Sequence, residues 1–197
     1  MTKRLRRAAS SSGQSLIEMA LILPLCVVLV LGVIEVGYAL MDEHIVTKLA
    51  REGSNMISRD TSLMDARSAL ITMSSGPVNF NSANSTVILS VIKMGATLGT
   101  ANFNQVFIYQ RHQYGGFATS SVLSTAGSPS FGGPPDYVAP NADNNANLRV
   151  TNLPANLLTV PGTMVYLCEI YSRHNLITPL NNFGITTPPT LKSIAYF

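Results

Sequence analysis

Residues Leu16 to Met41 read LIEMALILPLCVVLVLGVIEVGYALM, a run broken by only two charges, Glu18 and Glu35. A bilayer core of about 30 Å takes about 20 apolar residues as a helix, so this run is long enough to cross, and a transmembrane helix is expected over 14–41. Lys3, Arg4, Arg6 and Arg7 stand just before it, and Asp42 and Glu43 just after. The positive-inside rule then leaves the N-terminus in the cytoplasm and carries the rest of the chain across. Tyr38 falls near the far interface, where an amphipathic ring is at home. A plain signal anchor would share these features. A cleavable secretory signal, cut after Gly37-Tyr38-Ala39, fits less well. The uncharged stretch from Met19 to Ile34 exceeds the usual apolar region of about 7–15 residues, and Glu35 would sit beside the cut.

Composition supports an anchored chain. Of the 197 residues 46% are hydrophobic and only 12% are charged. The net charge of +3 belongs to the first 13 residues, since beyond them nine basic residues face ten acidic ones. No basic stripe interleaved with aromatics is present to neutralise phosphates, which excludes nucleic acid as a partner. Past Arg67 the only charges are Lys93, Arg111, Asp136, Asp143, Arg149, Glu169, Arg173 and Lys192, among many Asn, Ser, Thr, Gly and Pro. Weak charge of this kind does not enforce disorder, so a folded extracytoplasmic head is expected over 68–197.

Glu18 is what an ordinary anchor leaves unexplained. A carboxylate in lipid costs about 2.5–3.5 kcal/mol, so a partner is expected for it. Cutting between Gly13 and Gln14 would create one, an α-amino group. The string Gly13-Gln14-Ser15-Leu16-Ile17-Glu18 resembles the processing motif of type IV pilin-like precursors, in which a peptidase cuts after the Gly on the cytoplasmic side. The likeness continues through Leu23-Pro24, Glu35, Gly37 and Ala50-Arg51-Glu52-Gly53, and is similar to the TadE-like minor pilins (pseudopilins) of tight-adherence, or Tad, pili. Met19 stands where that family more often has an aromatic, and Tyr38 where Arg is common.

The resemblance implies a leader over 1–13 removed by a prepilin peptidase, with Gly13, Gln14 and Glu18 as the processing residues. It also implies a single-pass subunit of a bacterial inner membrane that enters a filament at the cell surface and contributes to pilus assembly and adhesion. Its partners would be the peptidase, other pilins and minor pilins, the inner-membrane assembly platform and the membrane itself. Glu18, Pro24, Glu35, Gly37, Arg51, Glu52 and Gly53 become the candidate assembly and helix-packing residues. A single-pass anchored binding module outside any filament is the alternative.

Ile45, Val46, Leu49, Ala50, Gly53, Met56 and Ile57 recur on one face of a 3.6-residue period. The anchor is therefore expected to continue as an amphipathic helix over 42–67, with one helix unbroken from about Ser15 to about Asp60. Pro24 removes a backbone donor; it reads either as an ordinary kink or as a softening that assists extraction from the membrane. Arg51 and Glu52 read either as a solvated surface or as a salt bridge to a neighbouring subunit.

Thr86–Lys93, Val106–Arg111, Met164–Ser172 and Leu191–Phe197 are β-branched and aromatic and are bounded by turn signals such as Pro161-Gly162, so four strands are expected. With the helix they make an α+β, pilin-like fold, a long N-terminal helix packed on a small antiparallel sheet. A Gly/Ser/Pro/Asn-rich stretch over about 112–161 has no periodicity, and reads either as a display loop or as a loosely ordered covering loop. Asp143, Asn145 and Asn147 imitate a calcium loop, but Leu148 and Pro154 stand where Gly and Glu are required, leaving an Asn-rich turn. His44, His112 and His174 are scattered and make no metal set, and no nucleophile or cofactor motif occurs. Neither catalysis nor a cofactor is expected. Cys26 in the anchor and Cys168 in a strand are expected to stay unpaired, with Cys168 a small buried apolar residue.

Overall fold

The computed structural model describes residues 11–154, 157–179 and 190–197. They form two compact units, one made of described residues 11–39 and 176–179, the other of 40–154, 157–175 and 190–197. The elements are α1 (Ser11–Ser58), α2 (Leu63–Met73), β1 (Ser85–Met94), β2 (Val106–Gly115), β3 (Met164–Arg173) and β4 (Thr190–Tyr196), with short 3-10 turns at Ala142–Asn144 and Ala146–Leu148.

In the first unit, α1 runs without interruption through Pro24 and is exposed along nearly its whole apolar length. Leu21 and Val33 are 73% and 75% exposed. α1 has the length and apolarity to cross a membrane, and none of its most apolar window is buried.

The second unit is an α+β head. Its four strands form an antiparallel sheet in the order β2-β1-β3-β4. Val46, Leu49, Ala50 and Ile57 of α1 are buried on one sheet face against Val87, Leu89 and Val91 of β1 and Cys168 and Ile170 of β3. Their spacing is the expected helical stripe, and in the register Leu89 lies opposite Cys168 and Val87 opposite Ile170. Ile45 and Met56 flank the stripe and are half-buried.

The expected helix over 42–67 is in fact two helices. α1 stops at Ser58, and Asp60 takes a left-handed conformation with φ of 61°, which short polar side chains tolerate. The Ser62 hydroxyl oxygen then accepts from the Asp65 N–H at 3.1 Å while its own O–H donates to the Asp65 carboxylate at 2.7 Å. This reciprocal cap starts α2, whose Leu63, Ala66 and Leu70 join the same core. β2 is also longer than expected, reaching Gly115, so the long connection begins after it.

That connection is an ordered layer on the opposite sheet face. Leu123 and Leu158, with Val122, Phe131, Val150 and Leu153 around them, pack on Ile92, Ile108, Val165 and Leu167. It also closes the free edge of β2, where the Ala139 N–H donates to Tyr109 O and the Val150 N–H to Val106 O, both at 2.9 Å. Covering an edge strand in this way blocks unwanted pairing. The Asn-rich turn is built as expected. Buried Asn102 donates to the carbonyls of Ala142 at 2.7 Å and Asn145 at 3.0 Å and accepts from Arg149 at 2.9 Å.

Candidate functional site

The sequence-derived candidates begin in the first turns of α1. Gly13 has open space around it, and the Gln14 side-chain amide donates to Glu18 at 3.1 Å. The two residues are one helical turn apart, so the Gln14 amide hydrogen-bonds the Glu18 carboxylate without cancelling its charge. Around them Leu16, Ile17, Met19 and Leu21 are exposed. An exposed apolar surface this long is unfavourable in water and favourable in lipid or in a bundle of like helices. Gly37 also faces open space.

Glu35 differs from Glu18. It is 8% exposed, and its carboxylate accepts from the Ile177 N–H at 3.2 Å, the Thr178 N–H at 3.0 Å and the Thr178 hydroxyl at 2.6 Å. A carboxylate that accepts several backbone and hydroxyl donors replaces its lost hydration with protein dipoles. Spacing along the chain gave no sign of this contact, because the donors lie 142 and 143 residues away.

The Ala50-Arg51-Glu52-Gly53 string divides across the helix. Arg51 is exposed and Glu52 half-exposed, while Ala50 and Gly53 are buried. A β-carbon added to Gly53 would lie 2.5 Å from Cys168 Sγ and 3.1 Å from Leu70 Cδ1, so the glycine is what brings α1 close to β3. Cys168 is fully buried there and both cysteines are free. Burial, with Glu169 beside it, pushes the Cys168 thiol well above the usual range.

The head also contains polar groups that the sequence did not single out. Glu169 is fully buried and accepts from the Val122 N–H at 2.9 Å, the Tyr171 hydroxyl at 2.8 Å and the Ser121 hydroxyl. Arg111 donates to Ser121 and Ser90, each at 3.1 Å; burial lowers its pKa, and the charge of Glu169 opposes that shift. Burial and the bond to Glu169 raise Tyr171. The network ties the covering layer to β3 by charge. At the other end of β3, His174 is paired with Asp42 of α1. No local pattern in the sequence marks either arrangement.

His112 stacks on Tyr137 with ring centroids 3.9 Å apart, and its Nε2 is buried without a hydrogen-bond partner. Burial and the nearby Arg67 charge lower its pKa from 6.5 to about 4. Between those values the unfolded chain holds this proton and the folded head does not, so stability falls as pH drops through the window. Allowing for screening at a half-exposed ring, the loss is about 1–2 kcal/mol. Denaturation of the full chain in detergent across that range should show the slope, and His112→Gln should flatten it.

Among the described residues no three His, Cys, Asp or Glu side chains gather as a metal site. Neither a curated protein nor a solved structure matches the chain. Residues 13–55 match the family described as TadE-like protein, a span that contains Gly13, Glu18, Pro24, Glu35, Gly37 and the Ala50–Gly53 string. Over that segment the chain is similar to the TadE-like family.

Proposed function

We propose that this chain is a minor pilin, or pseudopilin, of a Tad-type pilus. It is made as a precursor, cut by a prepilin peptidase between Gly13 and Gln14, and held in the cytoplasmic membrane by α1 with its head outside. Helix packing with other pilins, at the assembly platform, then brings it into or beneath a filament that serves surface adhesion. Its work is assembly and not catalysis.

The observation that carries this reading is the long, exposed apolar surface of α1 inside the TadE-like segment. A surface of that kind suits two solvents in turn, lipid before assembly and neighbouring helices after it. The basic cluster before the helix supports the orientation. The placement of Gln14 one turn from Glu18 supports a charge role after cleavage, when the new α-amino group becomes the nearest available cation. A like contact from a neighbouring subunit would guide docking, because a carboxylate in lipid is tolerated best when an opposite charge lies within about 4–6 Å.

Glu18→Ala is therefore expected to leave membrane insertion and trimming largely intact, yet to reduce co-immunoprecipitation with other pilus subunits from detergent. Undiminished association together with normal piliation in the trimmed variant would remove the charge-guided step.

A further inference from the structure

Glu35 lies inside the apolar run Leu16–Met41, six residues before its end, or about 9 Å along α1. A segment far along the chain comes to that level. Ile177 and Thr178 give their N–H groups to the Glu35 carboxylate at 3.2 and 3.0 Å, and the Thr178 hydroxyl adds a third donor at 2.6 Å. Residues 176–179 and this stretch of α1 belong to one compact unit, so the depth of Glu35 in the run is also the depth of the loop.

The loop has the chemistry to stay there. Irregular backbone is tolerated at membrane depth only where its polar groups find partners in the protein. The N–H groups of Ile177 and Thr178 both end on the carboxylate, and Pro179, which follows, has no N–H to satisfy. Three successive residues therefore leave no amide hydrogen unbonded. Glu35 gains in return, because these donors replace the water that a carboxylate in an apolar run loses. Glu35 and Thr178 are buried in the contact, yet Ile177 is 58% exposed. Val36, next to Glu35 on α1, is 60% exposed, so Ile177 extends an apolar surface that α1 already presents. Packed helices run about 8–10 Å apart, a gap that a loop seated on α1 at Glu35 takes up. Fluid acyl chains follow any contour, which makes lipid the better cover for Ile177.

We propose that residues 176–179 form a second membrane contact, a loop that Glu35 holds at the boundary between acyl chains and headgroups with Ile177 inserted among the lipids. Interfacial segments are buried about 5–10 Å, which agrees with the level of Glu35. The loop gives the anchor a fixed depth. Sliding α1 outward would draw Ile177 into water, and sliding it inward would carry the bonded polar groups into hydrocarbon. The proposal rests on α1 crossing a bilayer, and not on the pilus assignment.

The chain contains no tryptophan, so a single one reports its own surroundings. The full chain with Ile177→Trp is placed in phosphatidylcholine vesicles at high lipid excess, so that neighbouring chains cannot cover the loop, and brominated phosphatidylcholine is the quencher. Leu25→Trp, at an exposed position within the span, is the reference. Both tryptophans should be quenched, position 177 more strongly by bromine near the headgroup than by bromine at the chain end. Adding Glu35→Ala removes the acceptor of three donors and should lower the quenching at 177 about twofold or more, with Glu35→Gln in between and position 25 unchanged. Quenching at 25 but not at 177 would overturn the proposal and leave the anchor standing, as would quenching at 177 that Glu35→Ala does not alter. An unquenched Leu25→Trp would remove the membrane span and the proposal together. The comparison of positions 177 and 25 in the parent chain needs no change at Glu35, and decides the matter even if the Glu35→Ala chain fails to insert.

Discussion

Gly53→Ala should destabilise the head by about 1–3 kcal/mol, the usual cost of adding a methyl to a filled core, and Gly53→Leu should prevent α1 from docking on the sheet. The added β-carbon meets Cys168 Sγ at 2.5 Å, a contact no rotamer change at position 53 relieves, because a β-carbon is fixed by the backbone. Relief has to come from the other side. Cys168→Ala removes the sulfur and leaves Cys168 Cβ at 3.2 Å and Leu70 Cδ1 at 3.1 Å, gaps that small shifts can absorb. The double variant should therefore be more stable than the sum of the two single losses, since neighbouring substitutions do not add. Chemical denaturation of the full chain in detergent checks this; simple additivity would mean that α1 is not pressed on β3 at Gly53.

The second large effect is expected at Glu169. Glu169→Leu removes the negative charge near the half-buried Arg111, and deprives the Val122 N–H and the Ser121 and Tyr171 hydroxyls of their acceptor. Leaving a buried donor without its acceptor costs about 1–3 kcal/mol for each group stranded. The loss should be concentrated in the layer that Ser121 and Val122 anchor, so limited proteolysis should cut within 116–163 while the β1 to β3 pairing survives. Glu169→Gln keeps an acceptor oxygen and should lose less. A protease pattern identical to the parent chain would show that apolar packing by Leu123 and Leu158 holds the layer unaided.

These two sites also mark how far the sequence could be read. The four strands were legible because each is a short β-branched run between Gly, Pro or Asn signals, and α1 because its apolar residues keep a 3.6-residue period. Gly53 was legible as part of a family string, but its reason lies in Cys168 and Leu70, which only the fold brings to it. The α2 start was written as Ser62-x-x-Asp65, yet a continuing amphipathic pattern masked the left-handed break at Asp60. The covering layer resisted because its anchors, Val122, Leu123, Phe131, Val150, Leu153 and Leu158, stand apart among Gly, Ser, Pro and Asn with no period to detect. Glu169 and Glu35 looked like isolated acids, since their donors come from distant segments. Of the candidate assembly residues, Glu18, Gly37 and Arg51 lie open on α1, whereas Glu35 and Gly53 are engaged within the chain. The periodic signal carried the scaffold, and the long-range polar contacts left no local trace.

The central claim is that Gly13 marks a processing site ahead of an anchor that is kept. The most direct measurement is the intact mass and N-terminal sequence of the native protein taken from the membranes of its own host. A chain beginning at Gln14 and retaining residues Leu16 to Met41 is the predicted result, with Gly13→Leu accumulating the uncut precursor. A native protein that keeps Met1 to Gly13 while its sibling pilins are trimmed, or one that begins after Ala39, would contradict the account.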